Sequence, residues 1–235
     1  MSENEFISKL ESIGIKLSDV QIEKFRKYLN FLLEYNEHCN LTAIKTFEEV
    51  YLKHFYDSLL LLKFKTLGDE TVLDIGSGAG FPGVPLKIVC PNINLTCLDS
   101  NGKKTKFLEL LKSELSIDFE VVNTRAEEYI IDNREKFDYV VSRAVSNMPV
   151  LCELTIPFVK IGGEVIAYKG VGDEDSGEFA ISVLGGEIKD IFIDQLPKEN
   201  SMRRFICIQK KCKTDMEYPR RYDKILKKPL QNLKK

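Results

Sequence analysis

A run of glycines directly after a short apolar stretch constrains this 235-residue chain more than any other segment. The stretch Val72-Leu73 is followed by Asp74-Ile75-Gly76-Ser77-Gly78-Ala79-Gly80-Phe81-Pro82-Gly83. Glycine adopts backbone angles that other residues avoid, and it lets a ligand approach the main chain closely. A helix that begins at the proline would point its N–H groups at that ligand. Strand, glycine turn and helix in this order predict a nucleotide-binding unit of an α/β protein.

The segments after the glycine run alternate between strand and helix patterns. Strands are predicted at 71–75, 94–98, 119–122, 137–142 and 163–169, and helices at 82–89, 103–115 and 148–158. The helix at 103–115 is expected to bury Phe107, Leu110 and Leu111. A last strand at 205–209 is expected to run antiparallel to a segment at 188–195. This alternation predicts an α/β fold with a doubly wound, mostly parallel sheet.

Residues 1–68 differ in texture and are predicted to be helical. Ser18 and Gln21 form a capping pattern before a helical apolar period, and a further helix is expected from about Phe47 to Phe64. No glycine-rich linker follows, so this N-terminal extension should pack on the core. The chain is therefore divided into an extension at 1–68, a core domain at 69–212 and a basic tail at 213–235.

The charge of the chain is unevenly distributed. The net charge is −2, yet the segment from Lys210 to Lys235 holds ten Lys or Arg against three Asp or Glu. An acidic body with a basic tail indicates a polyanionic partner or a tail that is merely solvated, and charge alone leaves both open. The six cysteines and two histidines lack zinc-ligand spacing, so no metal is predicted. No signal peptide or membrane span is recognised, so we expect a cytoplasmic protein.

Two nucleotide-binding patterns overlap in the glycine run. Gly78 to Gly83 satisfies the G-x-G-x-x-G pattern of dinucleotide sites, whereas Asp74 to Gly80 satisfies the D-x-G-x-G-x-G pattern of S-adenosylmethionine (SAM) methyltransferases. Both patterns expect an acid at the end of the next strand, and Asp99 is at that position. Its carboxylate is expected to bind the ribose hydroxyls. A pyrophosphate would be repelled by Asp74, whereas the cationic SAM would be attracted to it. These residues favour SAM over NAD.

Further candidate site residues follow the third and the fourth predicted strands. Ala126 and Glu127 stand where an adenine ring would lie, although Glu127 could simply complement a helix dipole. Arg143 faces the place where a methyl acceptor must come, and it could contact a phosphate or stack on a base. A surface ion pair is the alternative for Arg143. His38 and His54 are expected to serve helix packing rather than chemistry.

The chain resembles the RsmG (GidB) family of bacterial 16S rRNA methyltransferases over nearly its whole length. The resemblance rests on the glycine run and on several short motifs outside it. Those motifs are Tyr35-Asn36, Asn40-Leu41-Thr42, His54, Asp57-Ser58, Leu98-Asp99-Ser100, Arg125-Ala126-Glu127, Ser142-Arg143-Ala144, Tyr218-Pro219-Arg220 and Pro229-Leu230. Tyr35 stands where the family usually has Trp, and an aromatic packing role is expected to survive there.

The resemblance implies a Rossmann-like class I SAM-dependent methyltransferase fold with a seven-stranded sheet. It implies transfer of a methyl group from SAM to N7 of guanine 527 in 16S rRNA. Separately, we expect a monomer that acts on the RNA or on the small subunit. SAM contacts are implied at Gly76, Phe81, Ala126, Glu127 and Arg143, beside Asp74, Gly78, Gly80 and Asp99 from the pattern. Arg143 would position the reactants, since guanine N7 has no proton to remove.

Three other functions remain open on the residues alone. One is an NAD-dependent oxidoreductase, which cofactor titration would reveal. Another is an RNA-binding protein with a vestigial pocket, which would bind RNA without turnover. The third is a SAM-dependent methyltransferase whose acceptor is another RNA, a protein or a small molecule.

Overall fold

Seven strands form a single sheet within residues 1–143, 146–170, 177–199 and 201–231, which are the residues that the computed structural model describes. The strands are β1 (Thr71–Ile75), β2 (Asn94–Leu98), β3 (Glu120–Val122), β4 (Phe137–Arg143), β5 (Val159–Gly170), β6 (Gly186–Gln195) and β7 (Met202–Lys210). Their order is β3-β2-β1-β4-β5-β7-β6. Strands β1 to β5 pair in parallel, and β7 is antiparallel to both β5 and β6. The predicted mostly parallel α/β sheet is confirmed.

Helices cover both faces of this sheet. They are α1 (Glu3–Ser12), α2 (Asp19–Cys39), α3 (Phe47–Glu49), α4 (Asp57–Leu59), α5 (Gly83–Val89), α6 (Gly102–Leu115), α7 (Ala126–Asn133), α8 (Met148–Thr155), α9 (Glu178–Val183) and α10 (Tyr222–Lys227). Alternate strand residues feed two separate cores: Val72 packs with the N-terminal helices, whereas Leu73 packs with α8 on the other face. Both cores are built from buried apolar side chains, as expected for a parallel sheet covered on both sides.

The N-terminal extension is bonded to the core domain. Ser18 caps α2 through a reciprocal capping box with Gln21, as the sequence predicted. The Gln21 side chain then donates to the carbonyls of Ile88 and Val89 at 2.9 and 3.1 Å, where α5 ends. Tyr28 is fully buried and donates to the Ala79 carbonyl in the glycine run. The boundaries of the three-part division of the chain stay a prediction.

The predicted helix at 47–64 is one continuous helical segment with an irregular centre. After α3 it becomes a π-helix over Val50–Tyr56, returns to α in α4, and ends as a 3₁₀ turn over Leu60–Lys63. Most of the π-helical residues are buried, including His54. Such wide turns are frequently found at functional sites.

A search of the described residues for a helix both long and apolar enough to cross a membrane finds none.

Candidate active site

The glycine run folds as a tight turn between β1 and α5. Gly76, Gly78 and Gly80 all have positive φ, and the N–H groups of Gly76 and Ser77 donate to the Leu98 carbonyl. A Cβ atom at Gly80 would lie 2.6 Å from the Tyr28 hydroxyl oxygen, so this position needs glycine for space as well as for its angle. The turn is therefore shaped from two sides, by β2 and by helix α2.

Asp74 lies behind this turn rather than in an open cavity. Its side chain is fully buried, and Oδ2 accepts a hydrogen bond from the Gly83 N–H at 2.9 Å. Its other oxygen, Oδ1, has no hydrogen-bond partner among the described residues. Burial raises the pKa of Asp74 to about 7, against the opposing effect of the Gly83 hydrogen bond. A nearby cation would stabilise the carboxylate form of this residue.

The N-terminus of α5 has little to offer a phosphate. Pro82 and Pro85 have no N–H, the Gly83 N–H is bonded to Asp74, and the Val84 N–H donates to the Gly80 carbonyl at 2.8 Å. A dinucleotide pyrophosphate relies on free N–H groups at this place. Within the described residues, the turn therefore fits a nucleoside cofactor without phosphate, such as SAM, better than NAD.

A cavity of about 300 Å³ opens at the carboxyl ends of β1, β2 and β3. This is the place where open α/β sheets bind ligands, and the volume is in the range of small-molecule sites. The lining residues are Ile75, Gly76, Leu98, Asp99, Ser100, Thr124, Arg125, Ala126, Glu127, Leu154 and Tyr222. We call it the cofactor cavity.

Asp99 is held at the edge of the cofactor cavity by main-chain groups. Oδ2 accepts from the Gly78 N–H at 3.0 Å, and Oδ1 accepts from the Asn101 N–H at 2.9 Å. A carboxylate has about four lone-pair sites, so each oxygen keeps capacity for a further donor. This geometry fits the two hydroxyl groups of a ribose.

A second cavity of about 570 Å³ lies beyond the end of β4. We call it the acceptor cavity, and its lining residues are Ile44, Lys53, His54, Asp57, Arg143, Ser146, Tyr168, Lys169, Gly170 and Arg203. Four of these side chains are Lys or Arg, and one is a carboxylate. Such a lining favours an anionic ligand.

Arg143 joins three parts of the chain at the wall of the acceptor cavity. Nη1 donates to the Lys53 carbonyl at 2.9 Å and to Asp57 Oδ2 at 3.0 Å. Asp57 Oδ1 accepts from Arg203 Nε at 2.7 Å, so one buried carboxylate holds two guanidinium groups. The Arg143 guanidinium also lies 5.1 Å from the ring centre of Phe81. Arg143 is thereby fixed against the glycine run.

His54 is neutral, and its tautomer follows from its partners. Arg143 Nη2 lies 3.0 Å from His54 Nδ1, and a guanidinium can only donate, so Nδ1 is the unprotonated nitrogen. The Nε2–H group then donates to Thr42 Oγ1 at 3.0 Å. Burial, together with the charge of Arg143, lowers the pKa of His54 to about 3. Its ring stacks on Phe81 with centroids 4.2 Å apart.

The cofactor and acceptor cavities lie on neighbouring strands. Ser142 Oγ, one residue before Arg143, donates to the Ile75 carbonyl at 2.8 Å and so ties the end of β4 to the end of β1. Ile75 lines the cofactor cavity and Arg143 lines the acceptor cavity. Strands β1 and β4 are neighbours at the point where the strand order reverses, which is the switch point of a doubly wound sheet.

The structure separates the predicted site residues into three groups. Gly76, Asp99, Ala126 and Glu127 line the cofactor cavity. Arg143 lines the acceptor cavity. The remaining four lie in or beneath the turn, without lining either cavity. They are Asp74, Gly78, Gly80 and Phe81.

Several residues that line the cavities were not predicted from the sequence, and the expectation for one of the two histidines was wrong. Arg203 and Tyr222 line the two cavities from the far end of the chain, and no local motif marks them. His54 packs, as expected, but it also orients Arg143. His38 is exposed near the end of α2, so the packing prediction is wrong for it. Tyr35 keeps an aromatic contact, with its ring 5.2 Å from that of Phe107.

In the part of the chain that the structure describes, no group of three or more His, Cys, Asp or Glu side chains could bind a metal ion together.

Comparison with known proteins points to one family. A family model described as rRNA small subunit methyltransferase G (GidB) matches residues 21–200. The Ribosomal RNA small subunit methyltransferase G of Exiguobacterium sibiricum is 42% identical over 237 residues, covering 98% of this chain and 100% of that protein. The protein of the same name from Fusobacterium nucleatum is 44% identical over 228 residues, covering 96% of this chain and 98% of that protein.

Solved structures agree on the fold. A SAM-dependent methyltransferase from Aquifex aeolicus superposes with a TM-score of 0.54 at 15% identity, covering 72% of this chain and 96% of that one. A methyltransferase from Pyrococcus furiosus gives a TM-score of 0.53 at 17% identity, covering 65% of this chain and 81% of that one. The likeness confirms the Rossmann-like class I methyltransferase fold predicted for the sheet and its helices.

Proposed function

Because this chain belongs to the GidB family of small-subunit rRNA methyltransferases, we propose that it transfers a methyl group from SAM to N7 of guanine 527 of bacterial 16S rRNA. Family membership makes the chain a SAM-dependent rRNA methyltransferase. The choice of guanine N7, and of this nucleotide, is the proposal. We further expect the enzyme to act as a monomer in the cytoplasm, on the RNA or on the small subunit.

One observation supports an acceptor atom that has no proton to lose. Three lining groups of the acceptor cavity could in principle take up a proton, and all three are engaged. Asp57 is held by two arginines, His54 Nδ1 accepts from Arg143, and the Tyr168 hydroxyl donates to the Ser58 carbonyl at 3.0 Å. Guanine N7 presents an in-plane lone pair and needs no general base, unlike a hydroxyl or exocyclic amine.

The charge of the acceptor cavity suits a nucleotide. Lys53, Lys169 and Arg203 stand around it with Arg143. Arginine and lysine side chains on phosphate oxygens supply most of the affinity of a protein for RNA. The planar guanidinium groups can also stack on a splayed base. This cavity is where we place the target nucleotide.

SAM, when bound, supplies a methyl group on a cationic sulfonium centre. The residues of the chain position it: Asp99 offers free lone pairs to ribose hydroxyls, and Ala126 and Glu127 lie along the wall assigned to adenine. The buried Asp74 places a negative charge beneath the turn, with Oδ1 lacking a partner among the described residues. Holding donor and acceptor in line is the main catalytic effect that we assign to the protein.

Methyl transfer from labelled SAM to small ribosomal subunits tests the proposal. The subunits come from a strain that lacks the endogenous modification, and the labelled nucleotide is mapped afterwards. We expect a single N7-methylguanine at position 527. Label at another nucleotide, or on protein, would support the methyltransferase activity but contradict the proposed acceptor.

Replacing Asp99 by alanine is expected to weaken SAM binding by about 1–3 kcal/mol, because hydrogen bonds to a charged group are lost. Isothermal calorimetry on the purified variant measures this directly. Asp118→Ala is the matched control, since the Asp118 side chain is 95% exposed and does not line the cavity. An unchanged affinity for the Asp99 variant would remove this residue from the ribose site.

SAM binding is expected to release a proton near neutral pH. The folded-state pKa of Asp74 is about 7, above the ordinary value of 3.8, so its contribution to stability is present below 3.8 and is lost as pH rises through 7. A bound cation lowers this pKa, which expels the proton, so SAM affinity rises as the pH approaches about 7 and levels off above it.

Calorimetry in two buffers of different ionisation enthalpy counts the released protons. Asp74→Asn keeps an acceptor for the Gly83 N–H but has no charge, so we expect its binding to be weaker and to release no proton from this site. Equal proton release by the variant and the wild type would contradict the assignment to Asp74.

A further inference from the structure

Part of the C-terminal segment 218–227 packs on the protein and reaches the cofactor cavity. Tyr222, at the start of α10, lines that cavity together with residues that follow β2 and β3. The Arg125 guanidinium lies 5.2 Å from the centre of the Tyr222 ring, so the ring is held by a residue next to the presumed adenine wall. The basic tail predicted from the sequence is thus in part a component of the pocket.

A buried carboxylate anchors this segment just before Tyr222. Glu153 in α8 is 0% exposed, and its Oε1 accepts from both the backbone N–H and Nε of Arg220 at 2.8 Å. Its Oε2 accepts from Arg220 Nη2 at 2.6 Å. Leu154, the next residue of α8, lines the cofactor cavity. The same helix therefore holds the segment and forms part of the pocket.

A second anchor lies on the other side of Tyr222. Ile225 is fully buried in the core that contains α8. Arg134 also donates to the Tyr218 carbonyl. With contacts at 218, 220 and 225, the ring at position 222 has a defined place, although α10 itself is short. Shortening the Arg220 side chain should therefore displace the Tyr222 ring, although Arg220 itself does not line the cavity.

We propose that the segment 218–227 is part of the SAM site and that the Tyr222 ring packs on the adenine of the cofactor. This inference rests on the proposed function, since it takes SAM as the ligand. The ring lies beside Arg125, which follows β3, and lines the same cavity as Glu127, whereas Arg143 lines the other cavity. Aromatic side chains that stack on a base contribute substantially to its binding.

SAM affinity of the full-length chain, measured by calorimetry, tests this. Tyr222→Ala is expected to weaken SAM binding about tenfold or more, while Tyr222→Phe stays near the wild type because the ring is kept. Arg220→Met, which breaks the anchor to Glu153, should weaken binding as well. Lys224→Ala, an exposed position in the same helix, is the control and should bind like the wild type.

A fragment of the cofactor locates the contact. 5′-Methylthioadenosine contains the adenine but lacks the amino-acid end, so Tyr222→Ala should weaken its binding by the same factor as SAM. Thermal unfolding without ligand checks that each variant is folded. If both Tyr222→Ala and Arg220→Met bind SAM with the affinity of the wild type, the inference is overturned. A wild type that binds no SAM would instead overturn the proposed function, and this inference with it.

Discussion

The Arg143→Ala variant is expected to lose methyl transfer by about 100-fold or more. The guanidinium bonds Asp57, His54 and the Lys53 carbonyl, and it lies over Phe81 at the boundary between the two cavities. Alanine removes these contacts together, so the acceptor cavity loses a cation and its remaining groups lose their alignment. Single-turnover transfer from labelled SAM to unmodified small subunits measures the loss.

Two further arginine variants separate chemistry from folding. Arg143→Lys keeps the charge but cannot reproduce the forked donor geometry, so its activity should fall between those of the wild type and Arg143→Ala. Arg26→Ala removes an exposed ion pair with Glu3 on the extension and should retain full activity. Thermal unfolding reports the folded fraction of each variant. If the folded Arg143→Ala variant transfers methyl groups at nearly the wild-type rate, Arg143 has only a structural role.

The Gly80→Ala variant is expected to be destabilised by about 2–5 kcal/mol. A left-handed backbone angle costs a non-glycine residue about 1–2 kcal/mol, and overpacking a filled site adds about 1–3 kcal/mol. Gly80 has φ of 95°, and a Cβ there would lie 2.6 Å from the Tyr28 hydroxyl and 2.8 Å from Val84 Cγ2. Tyr28 cannot move away freely, because it is buried and bonded to Ala79.

Gly162→Ala is the matched control for this substitution. Gly162 has a similar φ of 90°, but nothing lies within 4 Å of a Cβ built there. Its variant should therefore show only the backbone cost of about 1–2 kcal/mol. Urea unfolding of both variants gives the two free energies. If Gly80→Ala loses no more stability than Gly162→Ala, the close packing of α2 on the glycine run is not a constraint.

The strands could be predicted because each leaves a local pattern. Short apolar runs bounded by turn residues place β1 and β2 to the residue, and β7 begins only a few residues earlier than expected. The buried face of α6 was harder to predict. Leu110 was expected to be buried but is 44% exposed, and Leu108 is buried instead. A shift of two positions turns a helix side chain from one face to another, and only the packing of α2 on α6 decides between them.

The cofactor side of the site was predictable for the same reason, since its residues follow strand ends in order. On the acceptor side, Arg143 was predicted, but its partners were not. Arg203 bonds Asp57 across 146 residues, and Tyr222 reaches the cofactor cavity from the tail. His54 looked like a packing residue because its partner Arg143 lies 89 positions away. Such pairings are set by the register of β7 and by the docking of the tail, which no local periodicity encodes.

The hydrogen bond from Tyr28 to Ala79 spans 51 residues, and this has a consequence for the newly made chain. Synthesis proceeds from the N-terminus, so the aromatic face of α2 emerges before the glycine run has been made. Tyr28, fully buried in the finished protein, can pack on Phe55 earlier, but its hydrogen-bond acceptor Ala79 and the stacked ring of Phe81 follow only with residues 79–81. Exposed apolar surface of this kind is what chaperones bind. The helix that shapes the cofactor turn therefore keeps part of its apolar face uncovered until the turn itself has been made.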